Sequence, residues 1–201
     1  IMKKLLLLFT ACAIATATMA QSKMFTVQIQ ATGNEDGKEV SSDDAEQITN
    51  GGVGEMDKLY DDDLDAGWEG DDFNIAITAL RFRDVAIPQE ATIDSAWIEV
   101  YSHEAESDEA RITITGEASD NTKTYDLDNL ISDRSMTNAS VSWVATEEWD
   151  IWTMYRTPDI STVSSEIVNR NGWSSGNALS SILTAEDQGA SEDDNARDMM
   201  S

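Results

Sequence analysis

Asp61, Asp63 and Asp65, followed by Gly67, Glu69, Asp71 and Asp72, form the sharpest chemical motif in the chain. Aspartates alternating along a turning segment converge carboxylate oxygens on one point, and a hard cation such as calcium takes about six to eight of them. Counted from Asp61, Asp72 falls where a calcium loop places its last carboxylate. Ala66 stands where an EF-hand needs glycine, and no flanking helices are predicted, so the motif is not an EF-hand. The expectation is a structural calcium loop at the edge of a sandwich, weighed against a merely solvated acidic loop. A second group, Asp43, Asp44 and Glu46 with Gln47, offers carboxylates earlier in the chain. For it, surface solvation is the stronger rival reading.

Aromatic side chains offer a different chemistry. Trp97 and Tyr101 alternate with Ala96, Ile98 and Val100, so both lie on one face of a strand, where two rings can stack on sugars. A second sheet or a helix covering that face would make them core residues, and this packing reading carries more weight. Trp143, Trp149, Trp152 and Trp173 read as packing residues as well. Trp149 and Trp152, beside Glu147, Glu148 and Asp150, occupy the loop expected to stay exposed, and they join Trp97 and Tyr101 as ligand-binding candidates.

No catalytic constellation emerges. Gly172, Trp173, Ser174, Ser175 and Gly176 match the nucleophile-elbow pattern, but they follow a helix and precede a strand, the reverse of the required order. His103, the only histidine, precedes the serine, contrary to hydrolase chain order. With one histidine and no cysteine after residue 12, a transition-metal site lacks ligands. A glycosidase needs only two carboxylates, and nothing singles out a pair among 39 acidic residues.

These residues need a scaffold, and the patterning supplies one. Phe25, Val27, Ile29 and Ala31 predict a first strand with one buried face; 74–82 reads as a central strand; Ile112 and Ile114 alternate inward; 138–144 and 177–184 read as strands. A single helix is expected over 158–171, with Thr157 as N-cap, Pro158 in the first turn, Ile160, Val163 and Ile167 at helical spacing, and Asn171 and Gly172 ending it. The fold class is all-β: an antiparallel β-sandwich of jelly-roll type with one short helix.

At 80–102 (LRFRDVAIPQEATIDSAWIEVYS), 112–121 (ITITGEASDN), 156–160 (RTPDI) and 166–178 (EIVNRNGWSSGNA), the chain resembles bacterial extracellular β-sandwich domains similar to DNRLRE-type and carbohydrate-binding-module jelly rolls. The resemblance implies fold and secretion more than activity. It also implies that an early acidic element such as Asp43–Gln47 contributes to structural calcium near the sugar-binding end. In such domains a closing strand follows the segment matching 185–201, which sets the expectation of a C-terminally truncated sandwich with an open edge.

Compartment and partners follow from composition. Lys3 and Lys4, an apolar run over 5–17 and small residues ending at Ala20 form a signal peptide over 1–20, with cleavage before Gln21 and a single domain over 21–201. Cys12 in a lipobox-like setting is the rival. The apolar run is too short to span a membrane. Thirty-nine acidic against 13 basic residues, net −26, make nucleic acid and anionic membrane poor partners. The functional expectation is a secreted, non-catalytic module that binds extracellular polysaccharide or cell-surface glycan with calcium as structural ion, with neighbouring domains of a longer protein as further partners. The alternative is an extracellular surface or matrix domain that holds protein partners, and a hydrolytic domain is third.

Overall fold

The structure, a computed structural model, describes residues 23–35, 38–50, 53–61, 63–70, 74–187 and 195–201. The expected signal peptide with Cys12, and Asp71 and Asp72 of the acidic loop, lie outside the described residues. In chain order the strands are β1 (Gly33–Glu35), β2 (Lys38–Val40), β3 (Asp44–Asn50), β4 (Val53–Lys58), β5 (Asp63–Asp65), β6 (Trp68–Glu69), β7 (Asn74–Phe82), β8 (Glu99–Tyr101) and β9 (Ala110–Gly116). After a 3-10 turn at Ile131–Asp133 come β10 (Val141–Ala145), β11 (Met154–Arg156), the helix α1 (Ser161–Val168), β12 (Leu179–Ala185) and β13 (Asp198–Met200).

The main sheet runs β10-β9-β12-β7-β3-β4, with β6 added beside β7, and every ladder is antiparallel. Alternation along its strands produces two apolar faces. Leu80, Ile112, Ile114 and Leu183 pack beneath the β8–β11 and β5–β13 ribbons, meeting Ile98, Val100, Leu64 and Met199. Ile77, Ala79 and Ile182 face the other way, under Tyr125 and Ile131 of the segment that carries the 3-10 turn. The all-β sandwich with one short helix is thus the observed architecture.

Several elements differ from expectation for local reasons. Val27 and Ile29 do turn partly inward, but 23–32 finds no ladder partner, and the first pairing is the β1–β2 hairpin. The expected helix over 158–171 shortens to Ser161–Val168. Its start is delayed because 157–160 extends the β8–β11 ladder: the Thr157 and Ile160 N–H groups donate to the Ile98 and Ala96 carbonyls, at 3.0 and 2.8 Å. The Thr157 hydroxyl accepts from Ile98 N (3.0 Å) instead of capping, and Asp159 Oδ1 accepts from Ser161 N (2.8 Å) in its place. Asp198–Met200 is itself a strand, paired antiparallel with β5. Among the described residues, no helix is long and apolar enough to cross a membrane.

Candidate metal and ligand sites

The two acidic groups of the sequence meet in one place. Glu46 pairs with Thr78 in the β3–β7 ladder and with Lys58 in the β3–β4 ladder, where a bulge follows it. Strand β5 crosses over this spot: Asp65 N donates to Glu46 Oε2 at 2.5 Å, and the Thr78 hydroxyl donates to the Asp65 carbonyl. The carboxylates of Glu46, Asp65 and Glu69 then offer oxygens within 4.8 Å of one another. Glu46 is fully buried and its Oε1 has no hydrogen-bond partner. Burial pushes its pKa up to about 8, with the charges of Asp65 and Glu69 adding to the rise and the Asp65 N–H and Lys58 opposing it. Lys58 is inserted here, with Nζ 2.6 Å from Asp63 Oδ2, 2.7 Å from Asp65 Oδ2 and 3.7 Å from Glu46 Oε2. Burial works against its ammonium, but the hydrogen bonds to Asp63 and Asp65 outweigh that and raise its pKa above the ordinary lysine value.

The remaining metal candidates are placed elsewhere. Asp61 is exposed and belongs to neither carboxylate group among the described residues. Asp43 is buried, not solvated, and its charge is matched by Arg81 and by Arg83 Nε at 2.7 Å. Asp44 is buried too, accepting from the Ser201 hydroxyl (3.0 Å), and desolvation raises its pKa. The surface-solvation reading of 43–46 is therefore corrected. This strand turns its carboxylates into the sandwich, where they are tied to specific partners.

Asp63 joins a different set. Its carboxylate, the His103 ring and the Asp198 carboxylate offer ligand atoms within 4.8 Å of one another. Asp198 pairs with Asp65 and Met200 with Asp63 in the β5–β13 ladder, and His103 N donates to the Asp198 carbonyl at 3.0 Å. His103 Nδ1 lies 3.2 Å from Asp198 Oδ2. Burial pushes the Asp198 pKa up to about 6, and the hydrogen bond to His103 pulls the other way. No spacing pattern signals this meeting, because the three residues lie on segments far apart in the chain.

The aromatic candidates divide. Trp97, Glu99 and Tyr101 share the outward side of β8 and the residues leading into it, while Met154 pairs with Tyr101 and Arg156 with Glu99. Trp97 and Tyr101 are 38 % and 53 % exposed, so no second sheet covers them. The Arg156 guanidinium lies 4.4 Å from the Trp97 ring centre and reaches Glu99 Oε1 at 2.5 Å. Trp152 extends the same edge, 68 % exposed, with its N–H donating to the Ser102 carbonyl at 2.9 Å. Its φ of 64° is a left-handed conformation that a bulky side chain rarely adopts. Trp149 departs from expectation: it is buried, stacked on Tyr155 at 4.3 Å and 3°, with the Arg197 guanidinium 5.5 Å from its ring. Trp143 and Trp173 are buried as packing residues.

The serine motif lies in the turn between α1 and β12, where Trp173 Nε1 donates to the Ile87 carbonyl (2.9 Å) and Gly176 N to the Val85 carbonyl (2.9 Å). Comparison with family models and with curated proteins finds no match to the chain.

Proposed function

We propose that this chain is a secreted, non-catalytic binding module that takes extracellular carbohydrate on the outward face of the β8–β11 ribbon, with calcium as a structural ion. The observation that carries the reading is the pair of solvent-exposed rings Trp97 and Tyr101 on the outward side of β8, beside Glu99 and Arg156, with the exposed Trp152 at the end of the same ribbon. Flat apolar rings pack against the C–H faces of sugars, and adjacent charged groups exchange hydrogen bonds with their hydroxyls. Strain at Trp152 supports the assignment, since an unfavourable φ costs about 1–3 kcal/mol and is retained where the surrounding structure fixes it. The β-sandwich is also the architecture that the sequence resemblance implies. For calcium, the support is the buried Oε1 of Glu46 beside Asp65 and Glu69, an oxygen that a hard cation would satisfy.

Affinity electrophoresis through a panel of polysaccharides tests this. The wild-type chain is expected to be retarded by at least one of them. Tyr101→Ala combined with Trp152→Ala is expected to lower affinity about tenfold or more, since an aromatic contact is worth roughly 0.5–1.5 kcal/mol beyond its area. Both residues are exposed, so the variant keeps its fold. Undiminished retardation of the double variant would sink the proposal, and so would hydrolysis of the polysaccharide. Capture of a protein on the same face, without any glycan binding, would move the reading to a surface or matrix interaction domain.

A further inference from the structure

We propose that Asp63, His103 and Asp198 form a binding site for a divalent transition ion of the zinc class, separate from the carboxylate group of Glu46, Asp65 and Glu69. The site is assembled by ladders instead of by one flexible loop. Asp63 and Asp198 sit on the paired strands β5 and β13, and Ser102 bridges to Met199, so that His103 follows directly against Asp198. Against the expectation that a lone histidine leaves a transition ion without ligands, one imidazole with two carboxylates is a ligand set for a borderline ion with nitrogen affinity, not for calcium, which takes oxygen. Geometry fits the smaller ion. Two ligands of a tetrahedral zinc, each bound at about 2.0–2.1 Å, lie about 3.3 Å apart, and His103 Nδ1 and Asp198 Oδ2, which hydrogen-bond to each other at 3.2 Å, are already at that separation.

A second observation points to a ligand independently. Asp198 is only 8 % exposed, and while its Oδ2 faces His103, its other oxygen, Oδ1, is buried with no hydrogen-bond partner, so that a cation held by both oxygens would satisfy it. An orphaned buried carboxylate oxygen is costly, and a bound cation removes that cost. Lys58 holds Oδ2 of Asp63, at 2.6 Å, and Oδ2 of Asp65, at 2.7 Å.

The lone histidine makes a direct test available, because the tag-free chain gives one imidazole signal in nitrogen-edited NMR. Addition of one equivalent of zinc chloride is expected to shift the ring-nitrogen resonances of His103, and calcium chloride at the same concentration to leave them in place. Calorimetry is expected to give one zinc per chain. His103→Ala and, separately, Asp63→Asn are expected to weaken binding by more than about tenfold, the scale on which even outer partners of metal ligands act. His103 and Asp63 are both partly exposed, so these variants should fold, and their circular dichroism serves as the check. An imidazole signal unmoved by zinc, or zinc binding of unchanged affinity in His103→Ala, would overturn the site. Neither result bears on carbohydrate or calcium binding.

Discussion

Glu166 shows how one half-buried carboxylate can join two elements. From α1 it accepts Asn138 N on Oε1 at 2.8 Å and Ala139 N on Oε2 at 2.7 Å, fixing the approach to β10. These backbone hydrogen bonds favour the ionised form and hold its pKa below the ordinary value of 4.5. The sign follows: a depressed folded pKa contributes stability above the unfolded value and loses it as pH falls through the folded one. Glu166→Gln leaves a single acceptor oxygen for two backbone donors, so it is expected to cost about 1 kcal/mol at pH 7. Thermal melts of the two proteins should converge as pH drops below 4.5; a gap constant from pH 7 to pH 3 would assign the loss to packing. Single residues were the least legible part of this chain. Trp149 sits among Glu147, Glu148 and Asp150, a local context that reads as exposed, but Arg197, buried with Nη2 donating to the Ala145 carbonyl at 2.8 Å, closes over it from the other end of the sequence. His103 and Asp198 meet for the same reason, and no spacing rule reaches across that separation.

Elements whose buried face is apolar were legible, and those that bury carboxylates were not. Ile112 and Ile114 alternate into the core as period-2 patterning requires, and Trp97, Glu99 and Tyr101 take the opposite side from Ile98 and Val100. Strand β3 reads as a surface element because Asp44 and Glu46 occupy positions where hydrophobic residues are expected, and only the tertiary partners Ser201 and Asp65 account for them. The helix was visible from its apolar spacing, but its start depended on 157–160 adding to the β8–β11 ladder. Its seat on the sheet is specified by a small residue. A Cβ added at Gly116 in β9 would lie 2.6 Å from Ile167 Cδ1, 3.0 Å from Val163 Cγ1 and 3.2 Å from the Ser180 carbonyl oxygen. The Ile167 tip can rotate away, but Val163 and the Ser180 backbone have little freedom. Gly116→Ala is therefore expected to lift α1 from β9 and destabilise the fold by about 1–3 kcal/mol, read as a lower urea midpoint at unchanged slope. A midpoint equal to wild type would mean that the helix is not seated through this contact.

At the scale of the whole molecule the dominant quantity is charge, net −26, and it bears on stability through one region. Most of that charge is spread over a surface where salt screens it, whereas Glu46, Asp65 and Glu69 converge between β3, β5 and β6, with Lys58 beside Glu46 and Asp65. Calcium placed there would convert repulsion into attraction and satisfy Glu46 Oε1. A ligand that binds only the folded state adds RT ln(1 + [L]/Kd), about 2.7 kcal/mol at a hundredfold above Kd. For a chain of this size that corresponds to roughly 2–4 °C in melting temperature per kcal/mol, so a rise of about 5–10 °C is expected in millimolar calcium. Magnesium should give less, because it dehydrates reluctantly and demands a tight octahedral shell. Two controls separate site binding from screening. Sodium chloride at matched ionic strength should produce only a small rise, and Asp65→Asn with Glu69→Gln should abolish the calcium increment, whereas His103→Ala should keep it. An equal shift in sodium and calcium, unchanged in the Asp65, Glu69 variant, would reduce the cluster to a charge arrangement that needs no bound ion.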